Sequence, residues 1–151
     1  MAGAIDQAAG ACGNSPVVGE NLKHRILVVE DNQLNRELLA DWLEVEGYEV
    51  WSAANLKASY DFFSKRLPDA ILLDINLGSE NGLDLLVWMR QKPELGHIPV
   101  IAVTAHALVA EQQGVLQAGC RACLSKPINF KRLQEELKRW LQVRPLSRPT
   151  R

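Results

Sequence analysis

Pro68-Asp69-Ala70-Ile71-Leu72-Leu73-Asp74-Ile75-Asn76-Leu77-Gly78-Ser79-Glu80-Asn81-Gly82 is the stretch on which the fold of this chain turns. Ala70 to Leu73 is a short, wholly apolar run with Pro68 before it and turn-forming residues, Gly78 to Gly82, after it. A run of that length reads as a strand buried on both faces, which a parallel sheet covered by helices requires. Asp74 then sits at the strand's C-terminal end, where open α/β sheets form their ligand crevice.

The same reading extends in both directions. Arg25 to Val29 is a β-branched-rich strand candidate that runs into Glu30-Asp31-Asn32. After it Leu34, Leu38, Leu39, Trp42 and Leu43 recur at helical spacing as a predicted buried face, with Gly47 as the stop. Tyr48 to Ser52 reads as a second strand, and Asn55 as the cap of a helix that buries Leu56, Tyr60, Phe63 and Leu67. A helix from about Leu83 to Gln91 precedes Pro93, and Pro99 to Thr104 is a fourth strand. A weaker helix from about Leu108 to Gln117 leads to a fifth strand, Ala122 to Ser125, and Lys126-Pro127. Asn129 then caps a helix with Phe130, Leu133, Leu137, Trp140 and Leu141 on one face.

Five strand-helix units in succession imply right-handed crossovers and a doubly wound, flavodoxin-like (βα)5 parallel sheet of order 2-1-3-4-5. Residues 1–23 lack sustained periodicity and read as a flexible tail or linker, 24–142 as the domain, and 143–151 as a disordered tail.

Composition excludes several classes of function. The chain has 151 residues, 47% of them hydrophobic and 23% charged, which suits one well-filled domain. A net charge of −1 gives no footprint for sequence-independent binding to nucleic acid or a membrane surface. No apolar run approaches the roughly 18 residues that span a bilayer, and the N-terminus has no secretion-signal pattern, so a cytoplasmic protein is expected. Three cysteines agree with a reducing compartment.

The strand ends deliver Glu30 and Asp31 from the first strand, Asp74 from the third, Thr104 from the fourth and Lys126 after the fifth. In the order 2-1-3-4-5 these groups share one crevice. Three clustered carboxylates repel one another unless a cation joins them, and hard oxygen donors without His or Cys favour Mg2+. A metal, an ammonium and a hydroxyl around one carboxylate make a site for phosphoryl transfer. Asp74 would attack in line, Lys126 neutralise phosphoryl oxygens and Thr104 donate a hydrogen bond.

From Ile26 to about Leu141 the sequence resembles a response regulator receiver domain of two-component signalling. Four motifs in order carry the resemblance: Ile26 to Asn32 (ILVVEDN), Ile71 to Leu77 (ILLDINL), Val100 to Ala105 (VIAVTA) and Cys123 to Ile128 (CLSKPI). It implies a phospho-acceptor at Asp74, served by a phosphohistidine on a histidine kinase or histidine phosphotransfer protein. It implies Mg2+ on Glu30, Asp31, Asp74 and the main-chain carbonyl of Asn76, and a cis Lys126-Pro127 peptide. It also implies output to a downstream protein through the face of the fourth helix, fifth strand and fifth helix, from a stand-alone regulator or a receiver cut from a hybrid kinase. Such a domain is a switch, an enzyme only toward its own phosphoryl group. Two positions depart from the family pattern. Gly78 stands where many receivers carry Pro, and Cys123 where a Tyr or Phe usually turns inward as the switch hydroxyl moves.

Two rivals remain at this level. A haloacid-dehalogenase-like phosphatase also uses an aspartate and Mg2+, but that family resembles D-x-D on its first strand. A pseudo-receiver would bind partners with its site unused. Elsewhere, Cys120 and Cys123 form a C-x-x-C without the second pair that zinc needs and read as structural. His24 and His97 read as loop residues, and His106 as a partly exposed helix-start residue near the site mouth. Trp42 and Trp140 fit core-facing positions, while Trp51 and Trp88 suit core or interface.

Overall fold

A computed structural model describes residues 23–105 and 108–142, which leaves His106, residues 1–22 of the expected N-terminal tail and the whole expected C-terminal tail outside the described residues. Its element order is β1 (Arg25–Val29), α1 (Gln33–Val45), β2 (Glu49–Ala53), α2 (Leu56–Phe63), β3 (Ala70–Asp74), α3 (Leu83–Arg90), β4 (Val100–Thr104), α4 (Val109–Gln117), β5 (Ala122–Ser125) and α5 (Phe130–Gln142). The five strands form one parallel sheet in the order β2-β1-β3-β4-β5, as the alternation of strand and helix predicts. The second strand starts at Glu49, one residue later than its apolar pattern suggests.

Alternate residues of each central strand feed two cores. Leu27, Val29, Ile71, Leu73, Val100 and Ala102 pack with Leu56 and Phe62 of α2, Leu85, Leu86 and Met89 of α3, and Val115 of α4. Ile26, Val28, Ala70, Leu72 and Ile101 pack with Leu39 and Leu43 of α1 and Leu133, Leu137 and Leu141 of α5. Every residue of β3 is buried, which is why its sequence carries no polar alternation.

The caps read from the sequence are present. Asn55 Oδ1 accepts from Ala58 N at 2.8 Å and Asn129 Oδ1 from Arg132 N at 3.0 Å, each meeting a backbone donor that the first helical turn leaves unpaired. Asn32 caps α1 in the same way, accepting from Asn35 N at 2.9 Å.

Helix faces depart from expectation in two places. Leu34 and Leu38, expected inside, are 74% and 56% exposed, and the sheet-facing stripe of α1 is Leu39 and Leu43. In α2, Phe62 is buried and its neighbour Phe63 only half-buried. One residue along a helix rotates the side chain by about 100°, so neighbouring apolar positions compete for one inward direction and packing selects between them. Trp42 and Trp140 are half-buried; Trp42 packs at the edge of the second core against Phe130, with ring centroids 5.0 Å apart, and Trp140 Nε1 donates to Glu136 at 3.2 Å. Trp88 packs between Tyr60 and Phe63 at centroid distances of 4.7 and 5.4 Å, and Trp51 lies 5.3 Å from Phe62. Cys120 is buried and Cys123 half-buried, both free thiols in the packing.

Candidate functional site

Strand register builds the site as a staircase. Val29 pairs with Leu73, so Glu30 and Asp74 are the next residues on neighbouring strands. Asp74 pairs with Val103, so Thr104 lies one step further out. Thr104 pairs with Ser125, and Lys126, the next residue, donates its N–H to the Thr104 carbonyl at 2.8 Å. Four strands thus end at one rim with a polar residue each, because apolar packing stops where the sheet leaves its helical cover.

Glu30, Asp74 and Thr104 are buried, at 3%, 3% and 4% exposure, whereas Asp31 is exposed. Lys126 Nζ lies 2.9 Å from Asp74 Oδ2 and 3.4 Å from Glu30 Oε1. The other carboxylate oxygens meet the main chain: Asn76 N donates to Asp74 Oδ1 at 3.0 Å and Asn32 N to Glu30 Oε2 at 3.1 Å. One ammonium and two peptide N–H groups therefore hold two buried carboxylates side by side, the compensation such burial demands.

The electrostatics follow from this packing. Burial is the largest influence on Glu30 and, with the charge of Asp74, holds its carboxyl above the ordinary value of 4.5 against the pull of the Asn32 N–H and Lys126. For Lys126, burial is the largest single influence and draws the ammonium down. Asp74 and then Glu30 together outweigh it, so its pKa is raised above the ordinary 10.5 and it stays charged.

Glu30, Asp31 and Asp74 each offer one carboxylate oxygen within 4.8 Å of the others. Oxygen donors alone, at that spacing, suit a small hard divalent cation. The turn beyond Asp74 is shaped to leave that mouth open. Asn76–Leu77 and Glu80–Asn81 pair as a two-rung antiparallel ribbon, with Gly78 between them at φ +61° and close to Asp31. Gly82 N donates to the Ile75 carbonyl at 2.7 Å, and a Cβ on Gly82 would lie 2.3 Å from the Asp74 carbonyl oxygen.

All the rim residues read from strand ends, Glu30, Asp31, Asp74, Thr104 and Lys126, meet here, with Asn76 one turn beyond. The Lys126-Pro127 peptide is cis. The response regulator receiver domain family matches residues 26–138. The chain belongs to that family.

As a receiver domain of two-component signalling, it is 41% identical over 116 residues to the polar-differentiation response regulator DivK of Brucella anthropi, covering 77% of this chain and 94% of that protein. Its counterpart in Brucella ovis is 40% identical over the same coverage. Among solved structures, the receiver domain of a Pseudomonas aeruginosa sensor histidine kinase, which has a magnesium ion coordinated in its active site cleft, is 32% identical. That structure has a TM-score of 0.72 over 80% of this chain and 98% of its own. A receiver domain of a Luxo repressor protein from Vibrio parahaemolyticus is 30% identical, with a TM-score of 0.74 over 81% of this chain and 92% of its own.

Sequence reasoning missed two contributors to the rim. Arg36 of α1 donates from Nη1 to the Glu30 carbonyl at 2.8 Å, a contact its helical position does not announce. Leu38 and Leu39, with Pro127, Ile128 and Phe130, line a groove of about 460 Å³ that also takes in Glu30 and Lys126. The signal for that groove was the surplus of leucines in α1, more than one inward stripe can bury.

Proposed function

We propose that this receiver accepts a phosphoryl group on Asp74 from a phosphohistidine of a histidine kinase or histidine phosphotransfer protein. The observation that carries this reading is the Lys126 ammonium 2.9 Å from a buried Asp74 whose neighbours Glu30 and Asp31 complete a three-carboxylate cluster. Mg2+ fits the donor set: Glu30, Asp31, Asp74 and the carbonyl of Asn76 would hold it, and when bound it neutralises phosphoryl oxygen charge.

The chain's own groups do the rest. The Asn76 N–H and Lys126 fix the Asp74 carboxylate so that its attack is in line, and the phosphorus–nitrogen bond breaks as the phosphorus–oxygen bond forms. Lys126 carries its positive charge to the incoming phosphoryl oxygens. Thr104, one register step outside Asp74, supplies a hydroxyl to the acyl phosphate.

The donor needs a surface that leads to this rim, and the groove beside Leu38, continuous with Glu30 and Lys126, is apolar and open to it. Output runs through α4, β5 and α5, where Leu108 and Val109 are 65% and 67% exposed at the start of α4. Cys123, which the family resemblance aligns with the usual switch ring, lines a separate groove of about 430 Å³ with Gln112 and Arg132. The switch then works through Thr104 and the α4 end. The unit that does this is residues 24–142, acting in the cytoplasm, as a signalling domain that turns over only its own phosphoryl group. Among the described residues no helix is long and apolar enough to cross a membrane.

The test is intact mass spectrometry after incubation with acetyl phosphate and Mg2+. One phosphoryl adduct is expected on the wild type and none on Asp74→Asn. Absence of the wild-type adduct overturns the reading in favour of a binding module. Sustained hydrolysis of a phosphomonoester would instead favour a phosphatase.

A further inference from the structure

Glu30 and Asp31 are consecutive, at the point where β1 turns into α1, and both face the buried charge of Asp74. Repulsion among the three drives that turn away from the sheet. Lys126 opposes it through side chains, with ion pairs to Glu30 and Asp74. Asp31 stands exposed, and its approach depends on the path of its own main chain.

Arg36 acts on that path. From the first turns of α1 its guanidinium reaches back, and Nη1 donates to the carbonyl oxygen of Glu30 at 2.8 Å and of Asp31 at 3.4 Å. The turn is also closed by Asn32, whose N–H meets Glu30 Oε2 while its side chain caps α1. Both acceptors of Arg36 are carbonyls, so the guanidinium brings positive charge to the carboxylate cluster and leaves the carboxylate oxygens open for a cation. Lys126, by contrast, competes with a cation for the oxygens it binds.

We propose that Arg36 is a positioning residue for the divalent-cation site, holding the Glu30-Asp31 main chain at the distance from Asp74 that lets three carboxylates share one ion. The proposal rests on reading that cluster as the Mg2+ site. A guanidinium suits the task because Nη1 alone carries two N–H donors in a fixed plane, facing two neighbouring carbonyls, which an ammonium on a flexible stem does not hold in place.

The experiment is a titration of the full chain with MgCl2, followed by backbone amide chemical shifts, for wild type, Arg36→Met and Arg36→Lys. Arg36→Met keeps most of the stem and loses the donors. It should bind Mg2+ about three- to tenfold more weakly, the net size of one ordinary intramolecular hydrogen bond. In the metal-free protein its Asp31 and Asn32 amides should shift and exchange faster with solvent while those of β3 and β4 keep their protection. Arg36→Lys should fall between the two. Wild-type affinity in Arg36→Met overturns the proposal, and wild-type affinity in Arg36→Lys overturns positioning in favour of charge alone. If the wild type shows no Mg2+-dependent shifts, the reading of the carboxylate cluster fails first, and the proposal with it.

Discussion

Replacing Gly82 with alanine probes how closely the chain passes the acceptor aspartate. An added Cβ would lie 2.3 Å from the Asp74 carbonyl oxygen, 3.0 Å from Ile75 Cα and 3.2 Å from the Asp74 carbonyl carbon, against ordinary contacts that begin at 3.4 Å. All three atoms are main chain, so no rotamer relieves the overlap and the Asp74-Ile75 peptide or the start of α3 must move by about 1 Å. That shift also strains the 2.7 Å hydrogen bond from Gly82 N to the Ile75 carbonyl. Overpacking and a weakened buried hydrogen bond together predict a loss of about 2 to 4 kcal/mol. Displacing the Asp74 carboxylate by that distance predicts phosphorylation slower by about two orders of magnitude.

Gly78→Ala is the comparison. Its φ of +61° strains an alanine by about 1 kcal/mol, but the nearest atom to its Cβ is Asp31 Oδ2 at 3.6 Å, so the site survives. Urea unfolding by tryptophan fluorescence and adduct formation with acetyl phosphate read the two effects. Were Gly82→Ala as stable as Gly78→Ala and phosphorylated at the wild-type rate, the close-approach argument would be wrong.

Three further outcomes are expected. Because the Glu30 carboxyl is raised above 4.5 in the folded protein, the proton it keeps stabilises the metal-free fold below the unfolded value. That contribution is lost as pH rises through the raised value, while Mg2+ affinity climbs over the same window as Glu30 ionises; thermal melts with and without Mg2+ from pH 4 upward should cross accordingly. Leu38→Asp, at a position 56% exposed beside the rim groove, should leave the melting temperature within about 2 °C while slowing transfer from a phosphorylated histidine protein severalfold, with acetyl phosphate as the donor-independent control. Burial, helped by Cys123 and opposed more weakly by Arg90, pushes the Cys120 thiol up to about 12, so iodoacetamide at pH 8 should leave it unmodified in the native protein and label it in urea; peptide mass mapping distinguishes the two.

Much of this protein was determined by its sequence alone. A parallel strand buried on both faces is apolar until its end, so the polar residue at the end of each run marks the rim. Asp74, Thr104 and the pair Glu30-Asp31 could be read in that way, with Lys126 directly after Ser125 of the fifth strand, and their convergence followed from the order 2-1-3-4-5. The caps at Asn55 and Asn129 were equally legible, because a cap depends on only four residues of local chain.

Tertiary structure decided what local pattern leaves degenerate. Leu38 and Leu39, or Phe62 and Phe63, are equally apolar and differ only in which one the sheet meets. The grip of Arg36 on two carbonyls and the passage of Gly82 against Asp74 depend on the paths of two turns. Those paths are set by the packing of α1 and α3 on opposite faces of the sheet, a balance of contacts between residues far apart in the chain, and no spacing along it encodes their distances.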